Sequence, residues 1–207
     1  MHDTSGYCHN GTEIGLLDYS IDSPRYAMST EFDGDTSGIL LEDPDLSGVF
    51  NDKATISFWV KPSGENGARS AYFSAYSDTS WSIEKTAGNI IRSWWAGSPD
   101  ETFPSSTVSD DEWTMITVTK DGVNDMKCYI NGELKSSKTT EHPTKTFSTT
   151  WRLGRDTRTG ATSYKGLMSD FRIYATALSA EDVYNLYAVG ASLSDTGVLF
   201  SCEVSDV

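Results

Sequence analysis

Tyr76, Trp81, Glu84, Arg92, Trp94 and Trp95 fall in one short stretch of the chain and carry the side-chain types that hold a sugar. A pyranose is gripped by a flat aromatic surface against its apolar face and by forked polar groups on its hydroxyls. Trp94 and Trp95 are neighbours, so on an extended strand they point to opposite faces and at most one of them belongs to a core. One tryptophan is therefore expected at the surface or under a neighbouring loop. Packing beneath such a loop is the competing use for these aromatics. Nucleophilic catalysis has less to stand on. The three histidines, His2, His9 and His142, lie in terminal or loop-like segments, and no Gly-x-Ser-x-Gly stretch occurs.

Composition narrows the setting. The 207 residues exceed an average domain, yet all-β sandwiches reach this size as one unit. Hydrophobic residues at 37% suffice for one core, and the 12% aromatic share is too high to bury wholly, since tyrosine hydroxyls and indole N–H groups need partners. Thirty acidic against 16 basic residues give a net charge of −14, which repels a phosphate backbone, so no nucleic-acid partner is expected. The same charge suits calcium, neutral glycans, cationic partners or simple solubility. Cys8, Cys128 and Cys202 show no metal-binding spacing. Cys128 reads as a buried strand thiol, and a Cys8–Cys202 link between the termini is geometrically open. No run approaches the ~18 apolar residues of a membrane span, so none is expected. No signal peptide is recognisable, and the abrupt start at Met1-His2-Asp3 reads as a cut inside a longer protein.

The elements that must position these residues are strands. Trp113 to Lys120 is rich in β-branched and aromatic residues, Asp121-Gly122 supplies a turn, Met126 to Ile130 is a second strand, and Asn131-Gly132 is a strong hairpin signal. Lys53 to Pro62 alternates cleanly, with Ile56, Phe58 and Val60 on one face and Thr55, Ser57 and Trp59 on the other. Further strands are expected at Gly38 to Leu41, Ala71 to Tyr76, Trp81 to Lys85, Asn89 to Trp95, Thr150 to Gly154 and Tyr164 to Tyr174, the last bent near Gly166. Residues 97–109, with Pro99 and Pro104, read as a loop over a sheet edge, and residues 136–147 as a polar connection. One helix is expected after Ser179-Ala180-Glu181-Asp182, a capping box with Asp in place of Glu, followed by Val183, Leu186 and Tyr187 at helical spacing. Many short strands and one helix predict a sandwich.

Five motifs in order resemble the laminin-G-like, concanavalin-A-like jelly-roll superfamily. They are Phe32-Asp33-Gly34; Thr55-Ile56-Ser57-Phe58-Trp59-Val60-Lys61-Pro62; Trp113 through Asp121-Gly122 to Asn131-Gly132; Leu153-Gly154; and Tyr164-Lys165-Gly166 through Phe171-Arg172-Ile173-Tyr174, with Leu178-Ser179 and the helix behind. The resemblance covers residues 26–190, with residues 1–25 as a turn-rich segment and first edge strand and residues 191–207 as a last strand or linker. It implies an all-β fold, a two-sheet antiparallel jelly-roll sandwich with one short C-terminal helix. Trp59, Trp113 and Trp151 fall in or beside core motifs and are read as structural.

The resemblance also bears on activity. Glucan hydrolases of this fold carry Glu-x-Asp-x-x-Glu on one strand, whereas Glu31-Phe32-Asp33 is followed by Thr36 at the second Glu position, so the module is expected to bind and not to cleave. Arg155, Asp156 and Arg158 would rim the same concavity as the aromatic set. Related jelly rolls hold a structural calcium, for which Asp33 and Asp170 are the matching positions. The flanks, Asp3-Thr4-Ser5-Gly6-Tyr7 and Ala191-Ser192-Leu193-Ser194-Asp195, resemble those of modules in bacteriophage tail-associated proteins. The expected function is non-catalytic recognition of a bacterial-surface or gut glycan within a virion assembled in the bacterial cytoplasm, alongside other chains of the parent assembly. The alternatives are a structural virion domain making protein contacts and a calcium-dependent adhesion module of an extracellular or cell-surface protein.

Overall fold

The structure, a computed structural model, describes residues 2–3, 11–25, 28–42, 53–64, 69–75, 81–95, 101–123, 125–139, 150–156, 162–189 and 198–203. The first strands are β1 (His2–Asp3), β2 (Gly11–Ile14), β3 (Asp18–Ser20), β4 (Ser29–Asp33), β5 (Gly38–Glu42) and β6 (Lys53–Pro62). Then come β7 (Arg69–Ala75), β8 (Trp81–Thr86), β9 (Ile90–Trp95), β10 (Glu101–Thr107), β11 (Thr114–Asp121), β12 (Met126–Ile130) and β13 (Glu133–Lys138). The rest are β14 (Thr150–Leu153), β15 (Thr162–Ser163), β16 (Lys165–Tyr174), helix α1 (Ala180–Val189) and β17 (Val198–Glu203).

Two sheets result. The first runs β1-β17-β16-β6-β11-β12-β13, with β4 also on β16 and β3 outside β4. The second runs β10-β9-β8-β7-β14-β5-β2. Pairing is antiparallel throughout except where β15 lies parallel to β7. The jelly-roll sandwich expected from the sequence is the fold observed.

Alternation explains why these strands pack. Ile173, Ile56, Val118 and Cys128 stand opposite one another across β16, β6, β11 and β12, all facing inward. From the second sheet Phe73, Trp81, Ile83, Ile91, Trp95 and Trp151 close the interior. Each such side chain contributes on the order of 2 kcal/mol through area removed from water. Aromatic pairs cross between sheets: Phe171 stacks on Phe73 at 5.9 Å, and Phe58 meets Tyr72 at 5.7 Å. Cys128 lies in this interior, and burial pushes its thiol up to about 12.

The outward face of the first sheet is covered as well. Trp59, Met115, Tyr129 and Tyr174 pack under Val183 and Leu186 of α1, while Tyr187 stacks on Trp59 at 5.6 Å. The capping box forms as the sequence suggests: Ser179 Oγ accepts from the Asp182 N–H at 3.1 Å, and Asp182 Oδ2 accepts from the Ser179 N–H at 3.1 Å.

The structure has strands where the sequence reading places loops or connections. Residues 101–107 form β10 and not a loop; Pro104 is tolerated because β10 is an edge strand, paired only with β9 and irregular between Thr102 and Thr107. Residues 136–138 end β13, whose polar side chains suit an edge facing water. Asn131 and Gly132, with φ of 51° and 80°, make the tight turn into it. In the turn-rich N-terminal segment, β2 pairs with β5 and β3 with β4. At the other end, β17 pairs with β16, so both flanks add strands to the sheets.

One flank of β16 serves two partners: β4 pairs with Lys165 to Met168 and β17 with Phe171 to Tyr174. At its start Gly166 has a φ of 135°, and a Cβ there would lie 2.3 Å from the Lys61 carbonyl oxygen and 2.9 Å from Pro62 Cα. Those are backbone atoms of β6 and cannot swing aside. Gly166→Ala is therefore expected to lower unfolding stability by roughly 3 kcal/mol. Urea unfolding of the variant checks this, and a midpoint equal to wild type would contradict it.

Candidate functional site

No described helix covers the outward side of the second sheet, although Ser74, Ser82 and Glu84 are buried there. Because Trp81, Ile83, Ser93 and Trp95 point inward, Ser82, Glu84, Arg92 and Trp94 point outward from β8 and β9. Glu84 stands opposite Arg92, and Ser82 opposite Trp94. On the other side Ser82 faces Ser74 of β7, which in turn faces Arg152 of β14. A transverse row, Trp94–Ser82–Ser74–Arg152, thus crosses four strands, with Leu40 of β5 next in line.

Beside this row sits a charged pair. Glu84 is completely buried and its Oε1 accepts from Arg92 Nη1 at 2.6 Å, with Arg69 Nη1 at 3.8 Å. A buried carboxylate between two guanidinium groups fixes their direction. Trp94 is half-buried next to them. The arrangement joins a partly exposed indole face to oriented forked donors, which is hydrogen-bonding and stacking equipment.

Two aromatics of the sequence-based set belong elsewhere. Trp81 and Trp95 are both fully buried in the sandwich, with ring centroids 5.6 Å apart. Trp81 Nε1 donates to Ser93 Oγ at 2.6 Å, and the Lys120 ammonium lies 4.8 Å from the Trp95 ring. They are core residues, turned inward by strand parity, and no ligand on the outward face reaches them. Arg155 Nη1 donates to the Thr36 carbonyl at 2.8 Å, which ties it to the β4–β5 turn, and Asp156 is buried. Tyr76 and Arg158 lie outside the described residues, as does Cys8. The sequence reading passed over Arg69, Ser74, Ser82 and Arg152. For three of them the signal was present: Ser74, Ser82 and Arg152 each lie between two inward-facing strand residues, as Arg152 does between Trp151 and Leu153.

The two positions matched to calcium do not come together. Asp33 pairs with Lys165 and Asp170 lies five residues further along β16, roughly 16 Å at ordinary strand rise. Asp170 is buried and its Oδ1 accepts from Arg172 Nε at 2.5 Å. Burial pushes its carboxyl up against the opposing pull of Arg172 and Arg25. Asp33 is engaged by its own turn: Oδ1 accepts from the N–H groups of Asp35 at 2.8 Å, Thr36 at 3.0 Å and Ser37 at 3.0 Å. Among the described residues no group of three His, Cys, Asp or Glu side chains converges. This donor set does not fit a calcium ion, because one carboxylate is neutralised by arginine and the other is saturated by backbone donors.

A second concavity, of about 260 Å³, opens on the outward face of the first sheet. Ser20, Asp22, Glu31, Lys61 and Asp111 line it. Asp22 is its hinge: Oδ2 accepts from Lys61 Nζ at 2.7 Å and Oδ1 from Trp113 Nε1 at 2.8 Å. Those bonds, Lys61 foremost, hold the Asp22 carboxyl below its ordinary value.

A family model described as the concanavalin A-like lectin/glucanases superfamily matches residues 33–184. Among solved structures, the receptor binding domain of the botulinum neurotoxin C/D mosaic serotype superposes with a TM-score of 0.70 at 21% identity, over 89% of this chain and 47% of that one. The binding domain of botulinum neurotoxin serotype G gives 0.71 at 21% identity, over 91% and 48%. Domain 4 of AbnA, an extracellular arabinanase from Geobacillus stearothermophilus, solved in complex with arabinotriose, gives 0.70 at 23% identity, over 89% and 91%. The chain thus spans about half of each toxin domain and nearly all of the arabinanase domain. The sequence matches none of the curated proteins against which it was compared. No helix among the described residues is long and apolar enough to cross a membrane.

Asp33 supplies a test of the turn assignment. Burial alone would raise its carboxyl, but the N–H groups of Asp35 and Ser37 and the hydroxyls of Ser37 and Thr36 outweigh that and depress it well below 3.8. A carboxyl depressed on folding contributes stability that is present above its unfolded value and lost as pH falls through its folded one. Asp33→Asn is therefore expected to be less stable than wild type at neutral pH, with the gap narrowing below about pH 4. Denaturant midpoints across that range measure it; a gap that stays constant down the acid limb would refute the assignment.

Proposed function

The chain belongs to the concanavalin A-like lectin/glucanases superfamily, and on that premise we propose that it is a non-catalytic module that binds carbohydrate on the outward face of its second sheet. The observation that carries this reading is Trp94, half-buried and turned outward beside an Arg92 that buried Glu84 holds in place. An indole face covers the apolar side of a pyranose, and guanidinium donors take its hydroxyl oxygens. A domain of the same fold and nearly the same extent was solved with arabinotriose, which supports an oligosaccharide as the kind of ligand.

Binding without cleavage follows from the residues that would have to act. Glycoside hydrolysis needs two carboxyl groups flanking one bond. Glu31 stands at the rim of the cleft on the first sheet, whereas Asp33 is committed to its turn and Thr36 donates its hydroxyl to Asp33 at 3.0 Å. On the second sheet Glu84 is the carboxylate of the row and is ion-paired to Arg92. Part of the same proposal is the setting, a phage tail or other virion protein that recognises a bacterial-surface glycan; it rests on the flanking motifs. A second reading, packing against other chains of a parent assembly, is favoured by Leu16 and Ile21, which stand exposed at either end of edge strand β3.

Replacing Trp94 by Ala is expected to weaken oligosaccharide binding about tenfold or more while leaving the unfolding midpoint near wild type. Glycan-array screening followed by calorimetric titration of the best ligand makes the measurement. Undiminished binding by Trp94→Ala would remove the proposed face from consideration.

A further inference from the structure

The centre of the transverse row holds two polar groups that nothing described satisfies. Ser74 Oγ is buried and has no hydrogen-bond partner. Arg152, directly opposite it on the neighbouring strand, is half-buried, and no ion pair or side-chain hydrogen bond among the described residues engages its guanidinium. Glu84, on the same face, is taken by Arg92 and Arg69. A buried hydroxyl and an arginine, side by side and both without a partner among the described residues, mark a place for a further acceptor.

We propose that Arg152 and Ser74 bind the carboxylate of a uronate unit, so that the module selects acidic oligosaccharides. The inference rests on the carbohydrate reading above and names its ligand class. The planar guanidinium presents two parallel N–H donors to the two oxygens of a carboxylate, and Ser74 Oγ–H supplies a third donor to the same group. A neutral hydroxyl in that position satisfies at most one donor and no charge. Trp94 lies three strands away from Arg152 in the same row, about 14 Å at ordinary strand spacing. One sugar unit stacks on the indole while an acidic unit of the same short chain reaches Arg152. Against a net charge of −14, which repels anions from the rest of the surface, this local positive site also gives direction to the approach.

The test titrates the chain with trigalacturonate, with the same trisaccharide after reduction of its carboxyl groups to alcohols, and with arabinotriose. Wild type is expected to bind trigalacturonate about tenfold tighter than its reduced form, with the difference shrinking as salt is raised. Arg152→Ala is expected to erase that preference, Arg152→Lys to restore part of it, and Ser74→Ala to reduce it, each with an unchanged unfolding midpoint. Equal binding of the acidic and reduced trisaccharides by wild type overturns the inference, as does a preference that survives in Arg152→Ala. Equally strong competition by an oligoglutamate peptide overturns the sugar assignment. Neutral binding that is lost in Trp94→Ala and kept in Arg152→Ala, with no acidic preference in wild type, leaves the carbohydrate reading standing and removes only this extension. Failure of all three sugars to bind removes both.

Discussion

Phe171 from the first sheet and Phe73 from the second stack at 5.9 Å, and Phe58 lies 5.9 Å from Phe171 on its own sheet and 5.7 Å from Tyr72 opposite. This aromatic seam sets the inward side of β6, β7 and β16. Side chains alternate with a period of two, so once one residue of a strand is committed to the interior, every neighbour's direction follows. A one-residue slip in β9 would bury Trp94 and expose Trp95. The outward row of the second sheet is therefore a product of the core, even though none of its members touches the seam.

The two outward faces meet different fates, and their residues say why. On the first sheet Trp59, Met115, Tyr129 and Tyr174 make the outward side apolar, and it is hidden beneath α1. On the second sheet the outward residues of β7, β8, β9 and β14 include Ser74, Ser82, Glu84, Arg92 and Arg152, which a helix could cover only by leaving charges unsolvated. Glu84 is tolerable in full burial because two guanidinium groups flank it. The cost of burying that carboxylate is offset by ion pairing that also holds the arginines in one direction.

Much of the architecture was legible because it rests on local patterns. Lys53 to Pro62 alternates without interruption, Asn131-Gly132 makes its turn with two positive φ angles, and the Ser179–Asp182 box caps the helix. What escaped was set by partners distant in sequence. Strand β10 contains a proline and reads as a loop until its place at the sheet edge is known, and β13 is too polar to announce burial. The site divides in the same way. Sequence adjacency was enough to say that Trp94 and Trp95 part company, but not which of them turns inward. The conjunction of Arg152 with Ser74 depends on β7 pairing with β14 across a long separation, and no local signal carries that.

The failed calcium pair makes the same point from the opposite direction. Asp33 and Asp170 are the positions that the resemblance in sequence matches to a calcium site, yet their oxygens are engaged by different neighbours. Asp33 closes a turn by accepting from the N–H groups of Asp35, Thr36 and Ser37, and Asp170 sits at a φ of 51° in the irregular middle of β16, buried against Arg172. An ion would have to displace five hydrogen bonds at the first and an arginine at the second. Residue type at a family position is therefore a weaker guide to a ligand than the state of its donors and acceptors. By that measure Asp33 and Asp170 are satisfied groups, while Arg152 and Ser74, which no motif singles out, have no hydrogen-bond or ion-pair partner among the described residues.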